Sequence, residues 1–234
     1  MDREGGKMKK CAEFDSNAWI KLYVSKVEKI FHDRIVFIGI QGSYARKEQS
    51  YESDIDMVLI LDELSAEDVK IYDNELQDLP NRDLLCGFLS GINVLKSWER
   101  SDLFQFLKDT LPIKGSLDEL QDFISKEDVK RAVRIGACNI YHSCVHNLFC
   151  EKSDAVLKGL VKSAIFTLKA KVFYETGEYA RNFNELCTKA ADADRVVLDL
   201  YVKIKQNLMA DYDFDKYAKV ILNWTTDLIN KYAQ

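Results

Sequence analysis

The chain has 234 residues, 47% of them hydrophobic and 30% charged, enough apolar material for one large or two small cores and inconsistent with a disordered or low-complexity protein. No apolar run approaches the roughly 20 residues that span a bilayer. The opening segment MDREGGKMKK has no secretory h-region, so a soluble, cytoplasmic protein without a membrane partner is expected. The net charge of −5 is split unevenly: residues 1–120 carry 16 basic and 23 acidic side chains, and residues 121–234 carry 17 and 15.

In chain order, Asn17–His32 has helical apolar spacing (Trp19, Leu22, Val24, Val27, Ile30, Phe31) behind Asp15 and Ser16 as capping residues. The short β-branched run within 34–41 predicts a buried strand that ends at Gly42 and Ser43. DIDMVLILD (54–62) reads as a second strand, Ser65–Leu79 as a helix capped by Ser65, Leu84–Ser90 as a third strand, and Trp98–Thr110 as a helix. LPIKGS (111–116) is read as a break. Residues 126–150, 153–177, 194–209 and 213–232 then have helical periodicity without a strand, and Gly177 is placed to close the second of these helices. The expected fold class is α+β: a mixed sheet flanked by helices (1–120), followed by an all-α bundle (121–234).

The chemistry is concentrated in GIQGSYARKEQSYESDIDMVLILD, residues 39–62. Side chains at i and i+2 of a strand share a face, so Asp54 and Asp56 project together. Two adjacent carboxylates repel each other unless a cation neutralises them. Mg²⁺ does this and also brings bound phosphates. Gly42 allows backbone to approach a phosphate, Ser43 offers a hydroxyl and the free N–H groups of a helix start, and Arg46 and Lys47 follow one turn later. A Gly-Ser turn alone is often only a turn, and an acidic pair alone is often a solvated strand edge. Their combination between two apolar strands is far more specific.

That combination resembles the signature of the DNA polymerase beta-like nucleotidyltransferase superfamily: strand, Gly-Ser, about a dozen residues, then Asp-x-Asp on the next strand. Ala45-Arg46 and Ser53-Asp54-Ile55-Asp56 are similar to its minimal and antibiotic-modifying, kanamycin-type bacterial branches, which append a C-terminal helical bundle. The segment at 88–117 is similar to their linker. The resemblance implies transfer of a nucleoside monophosphate, AMP from ATP as the leading case, to a hydroxyl of a small acceptor such as an aminoglycoside-like antibiotic. Asp54 and Asp56 would ligate Mg²⁺, and Gly42, Ser43 and Arg46 would bind the nucleotide. Within 160–186 the resemblance also implies a cleft-facing role for Lys162, against which stands the plain reading of a solvated lysine on an amphipathic helix. The superfamily usually has a third carboxylate on a later strand, yet 84–91 (LLCGFLSG) contains none. Two alternatives therefore stay open: a protein- or RNA-modifying, antitoxin-like transferase, and a non-catalytic nucleotide-binding module. The acidic front half argues against a duplex nucleic-acid partner, and monomer and homodimer are both open.

Other signals carry less. The six cysteines form no C-x-x-C pair and read as reduced thiols. Cys138, His142, His146 and Cys150 recur every four residues, but four such positions span about 18 Å of helix axis, too far for one ion. A packed face is expected there instead. Arg134 and His142 are spaced too widely for the Arg-x₄₋₆-His pattern of a ribonuclease-like bundle.

Overall fold

The computed structural model describes residues 14–50, 53–206 and 213–233; Cys11, the opening segment and the last residues of the helix expected over 194–209 lie outside them. Asp15 caps α1 (Ser16–Phe31), its carboxylate accepting from the Asn17 and Ala18 N–H groups. β1 (Ile35–Ile40) leads into the single turn α2 (Gly42–Arg46), and β2 (Ile55–Leu61) follows. Ser65 and Asp68 form a reciprocal capping box that starts α3 (Ala66–Glu75). β3 (Leu85–Gly91), α4 (Ile92–Lys96) and α5 (Arg100–Asp109, capped by Glu99) complete the part read from sequence as sheet and helices.

The segment read as a break, LPIKGS, instead forms β4 (Leu111–Lys114), antiparallel to β1 at the edge of the sheet. Pro112 is tolerated there because an edge strand leaves half its backbone groups outside the ladder, and Gly115 leaves the strand at φ 77°. The sheet order is β3-β2-β1-β4, with β2 and β3 parallel and the other pairs antiparallel. β2 is therefore central, and its apolar residues are buried on both faces. Met57, Leu59 and Leu61 pack towards α1 and α3, against Tyr23, Val27 and Leu76. Val58 and Ile60 point the other way, against Leu103 of α5, Leu117 and Leu120.

The described residues beyond β4 are mainly helical: α6 (Lys126–His146), extended by a π turn over Asn147–Glu151, then α7 (Asp154–Thr176), α8 (Phe183–Lys189), α9 (Arg195–Lys205) and α10 (Phe214–Lys231). Gly177 closes α7 at φ 75°, its N–H donating to the Phe173 carbonyl. α8 was not legible: it is short and starts from the Asn182 cap. α6 and α7 touch closely at Gly136, where a Cβ would lie 2.3 Å from Thr167 Oγ1. Phe104 reaches from α5 into the bundle core, so α5 packs on both units. A polar network is buried in the bundle: Lys171 pairs with Asp194 at 2.7 Å, and Trp224 Nε1–H donates to the same carboxylate at 2.9 Å. Such a network is tolerated because every member is satisfied.

The face carrying Cys138, His142, His146 and Cys150 is exposed rather than packed. His146 meets Glu151 and Phe149 at the surface, since the apolar stripe of α6 runs through Val133, Ala137, Ile140 and Cys144 instead. None of the described helices is long and apolar enough to cross a membrane.

Candidate active site

The antiparallel pairing of β1 and β2 sets Ile40 opposite Met57, and the Gln41 N–H donates to the Asp56 carbonyl at 2.8 Å. The ladder therefore delivers Gly42 onto the Asp56 side chain. A Cβ on Gly42 would lie 1.7 Å from Asp56 Oδ2, and the residue sits at φ 68°. Glycine is needed here twice: only it avoids the carboxylate, and only it adopts this left-handed backbone without strain. The two halves of the motif are thus one site. Asp56 shares the face of Val58 and Ile60, the side towards α5. Asp54 is exposed just before the strand, and Asp56 is half-buried.

α2 is only five residues long, too short for a substantial macrodipole. What it offers is the set of first-turn N–H groups that lack intrahelical partners, with Ser43 half-buried among them. Arg46, at the end of α2, is already engaged. Its Nε lies 3.2 Å from Glu48 Oε2, and its guanidinium lies over the Phe166 ring at 5.7 Å. Glu48 in turn accepts the Phe183 N–H at 2.7 Å, tying the loop after α2 to the start of α8. Lys162 and Arg46, far apart in sequence, line one crevice with Phe166, Lys169 and Tyr201. The structure brings these two sequence-derived residues together.

Lys169 was missed. It is buried where α7 meets the sheet unit, 3.2 Å from Asp109 and 3.1 Å from the Arg181 carbonyl, with its ammonium near the Phe166 and Tyr179 rings. Burial pushes its ammonium below the usual lysine range even though Asp109 opposes the shift. The available signal was its seven-residue spacing from Lys162, which returns to nearly the same helix face. The adjacent Tyr179 phenol is raised by burial first and then by the Asp109 charge, so it stays a neutral donor.

The parallel register of β2 and β3 sets Cys86 opposite Asp56. Burial first, then the charges of Asp56 and Asp54, raise the Cys86 thiol above its ordinary value. A thiol thus stands beside the carboxylate pair on the strand where a third carboxylate was sought. Among the described residues, no three His, Cys, Asp or Glu side chains are grouped to hold a metal ion by themselves. Two hard carboxylates fit Mg²⁺ nonetheless, because that ion keeps waters and substrate phosphates as its other ligands. The missing Cβ of Gly42 leaves the Asp56 carboxylate uncovered. On the bundle side, Phe166 also borders a polar hollow of about 340 Å³ lined by Asp102, Gln105, Asn139, Ser143 and Thr167.

No protein-family model matches the chain, and no curated protein matches it. Among solved structures, spectinomycin adenyltransferase AAD(9) from Enterococcus faecialis, crystallised with ATP and spectinomycin, matches 92% of this chain and 99% of its own. The TM-score is 0.52 at 13% sequence identity. A likeness at that identity speaks to architecture: the chain has the α+β fold of that adenyltransferase, a four-stranded mixed sheet with a C-terminal helical region.

Proposed function

We propose that this chain is a Mg²⁺-dependent nucleotidyltransferase that moves AMP from ATP to a hydroxyl of a small polyhydroxylated acceptor and releases pyrophosphate. The observation that carries the reading is the contact of Gly42 with the Asp56 carboxylate, which joins a phosphate-approach turn to a metal-binding carboxylate. The architecture shared with an adenyltransferase crystallised with ATP and spectinomycin supports the same chemistry.

In this reading Asp54 and Asp56 hold the metal. Mg²⁺ bound there neutralises phosphate charge and polarises the α-phosphoryl group. The first-turn N–H groups of α2 and the Ser43 hydroxyl hold the β- and γ-phosphates. Arg46, steered by Glu48, supplies positive charge at the end of α2, and Lys162 and Lys169, which line one crevice with it, add to that charge. The acceptor hydroxyl gives its proton to solvent water as its oxygen attacks the α-phosphorus, the bond from that phosphorus to the oxygen bridging it to the β-phosphate breaks, and pyrophosphate leaves with that oxygen. The hollow lined by Asp102, Gln105, Asn139 and Thr167 presents a carboxylate, amides and hydroxyls, which suit a cationic, hydroxyl-rich acceptor. This makes a small molecule a better acceptor than a protein or RNA.

Cys86 favours one competing reading, a nucleotide-binding module without turnover, because the strand beside Asp56 carries a thiol and no carboxylate. The experiment is transfer of label from α-phosphate-labelled ATP, with Mg²⁺, to a panel of aminoglycosides, spectinomycin, lincosamides, RNA and cell-extract proteins. Label on a small acceptor, abolished in a well-folded Asp56→Asn protein, is expected. Mg²⁺-dependent ATP binding without transfer to any acceptor would favour the non-catalytic module. Undiminished transfer by Asp56→Asn would refute the two-carboxylate site.

A further inference from the structure

On the side of α5 away from Asp102, Gln105 and Asp109, a second cavity of about 590 Å³ opens between the sheet unit and the bundle. Its size is that of a small-molecule site, roughly 300–1,000 Å³. Phe104 and Leu107 of α5 line it together with Phe173 and Tyr174 of α7, and the Phe104 and Phe173 rings pack on each other with centroids 5.2 Å apart. Two ammonium groups sit against these rings: Lys108 is 5.0 Å from the Phe173 centroid, and Lys126 is 5.0 Å from that of Tyr174.

Neither lysine has a carboxylate partner among the described residues. Lys108 has only the Gln121 side-chain carbonyl at 3.3 Å. Glu175, the acid in the lining, is already held by Lys171, Lys231 and Tyr232. Asp128 is occupied in the cap of α6, accepting from the Ser125 N–H and hydroxyl, and Asp118 accepts from the Gln121 amide. A third cation, Arg181, lines the adjoining cavity that shares Lys108 and Gln121 with this one. Partial burial first, and Arg181 second, hold the Lys108 ammonium below its usual range, as expected of cations gathered without an anion. Aromatic walls combined with uncompensated ammonium groups specify both halves of a ligand.

We propose that this cavity is a binding site for a planar aromatic carboxylate, distinct from the nucleotide crevice. The ring packs against the half-buried Phe173 and Tyr174 rings, and the carboxylate draws Lys108 and Lys126 off those ring faces into charge-assisted hydrogen bonds. Because its walls come from both units, the ligand braces them against each other and raises the melting temperature of the whole chain.

The probe is 1-naphthoate, titrated calorimetrically into the full-length protein alongside its neutral isostere 1-naphthamide, with and without MgATP. The expected result is at least tenfold tighter binding of naphthoate than of naphthamide. Lys126→Gln and Lys108→Gln should each reduce that preference several-fold, and saturating MgATP should leave the naphthoate affinity unchanged. Circular dichroism confirms that each variant is folded, and Lys126→Gln carries the test should Lys108→Gln fail to fold. No naphthoate binding, equal affinity for the two probes, or a preference that survives both substitutions would overturn the proposal. Competition by MgATP would assign the cavity to the nucleotide and overturn it equally.

Discussion

Replacing Gly42 by alanine separates backbone strain from active-site geometry, because the chain supplies its own control. Gly42 and Gly177 both have left-handed φ values, 68° and 75°, but a Cβ at Gly177 meets nothing within 4 Å. A non-glycine residue in that conformation costs roughly 1–2 kcal/mol, and each kcal/mol lowers the melting temperature of a protein this size by about 2–4 °C. Both variants should therefore melt roughly 2–8 °C below wild type and stay folded. Only Gly42→Ala intrudes on the site. With its Cβ 1.7 Å from Asp56 Oδ2, the carboxylate must retreat by at least 3.0 − 1.7 = 1.3 Å to reach the closest contact that real Cβ atoms show. The strand cannot yield, since the Asp56 carbonyl is held by the Gln41 N–H, so the side chain must rotate. Misplacement of a reacting group by about 1 Å costs on the order of 10²-fold in rate, or about 2.7 kcal/mol of barrier. Label transfer from ATP should fall about a hundredfold in Gly42→Ala and hold within twofold in Gly177→Ala, with melting curves matched. Wild-type transfer by Gly42→Ala, or an equal loss in both variants, would refute the reasoning.

Lys169→Met should weaken MgATP binding at least tenfold, measured by calorimetry, and should also destabilise the fold by roughly 3–5 kcal/mol in denaturant melts, because it strands Asp109 in a buried contact. Lys162→Ala should lower nucleotide affinity with little effect on stability, and the reverse pattern would mean the two lysines have been assigned wrongly. Cys86→Glu places a carboxylate opposite Asp56 and should accelerate transfer by tenfold or more if a third acid limits turnover; an unchanged rate in steady-state assays would show that the pair suffices. Burial favours a neutral Glu175, but hydrogen bonds from Lys171, Lys231 and Tyr232 outweigh it and hold the carboxyl at about 2, against 4.5 unperturbed. A depressed acid stabilises above its unfolded value, so this contribution is complete above pH 4.5 and is lost as pH falls from 4.5 towards 2. Denaturant midpoints across that window should fall less steeply in Glu175→Gln than in wild type, and parallel curves would argue against the linkage.

What could be read from the sequence follows how local each cause is. β1, β2 and α1 declare themselves through β-branched runs, i+2 alternation and an Asp cap, because the residues that make these elements are neighbours in the chain. The Gly42–Asp56 contact could be inferred as a pairing, since a hairpin-like ladder joins the two strands, although the closeness that forbids a Cβ could not. β4 was misread because Pro112 and Gly115 are punctuation in any local reading; only pairing with β1, some 70 residues earlier, turns LPIK into a strand. Lys169 and Lys171 sit within the apolar face of α7, and although the seven-residue spacing puts Lys169 on the face of Lys162, nothing local distinguishes a buried, paired lysine from a solvated one. Their partners Asp109 and Asp194 lie 60 residues upstream and 23 downstream. The stripe of Cys138, His142, His146 and Cys150 misled for the opposite reason: a regular four-residue spacing is visible in sequence, but its outward orientation depends on where α7 and α10 pack.

The contacts that join the sheet unit to the bundle are also the contacts that shape the crevice. Glu48 turns one carboxylate oxygen to Arg46 and the other to the Phe183 N–H. Lys169 binds Asp109 at the end of α5 and the Arg181 carbonyl in the loop before α8. Gln41, next to the glycine turn, donates to Thr110 at 2.6 Å, holding the end of α5 against β1. The charged side chains in these bridges are 3–18% exposed, so breaking any one leaves a charge where water solvates it poorly. Such bridges add little net stability compared with apolar replacements, but they fix geometry. Phe104, inserted from α5 into the bundle core, adds the apolar part of the same joint. Opening the crevice would therefore break a buried charge contact or withdraw an aromatic ring. In the proposed reaction Asp56 lies on the sheet and Lys162 and Lys169 on the bundle, so the same contacts would keep these groups in register for in-line transfer.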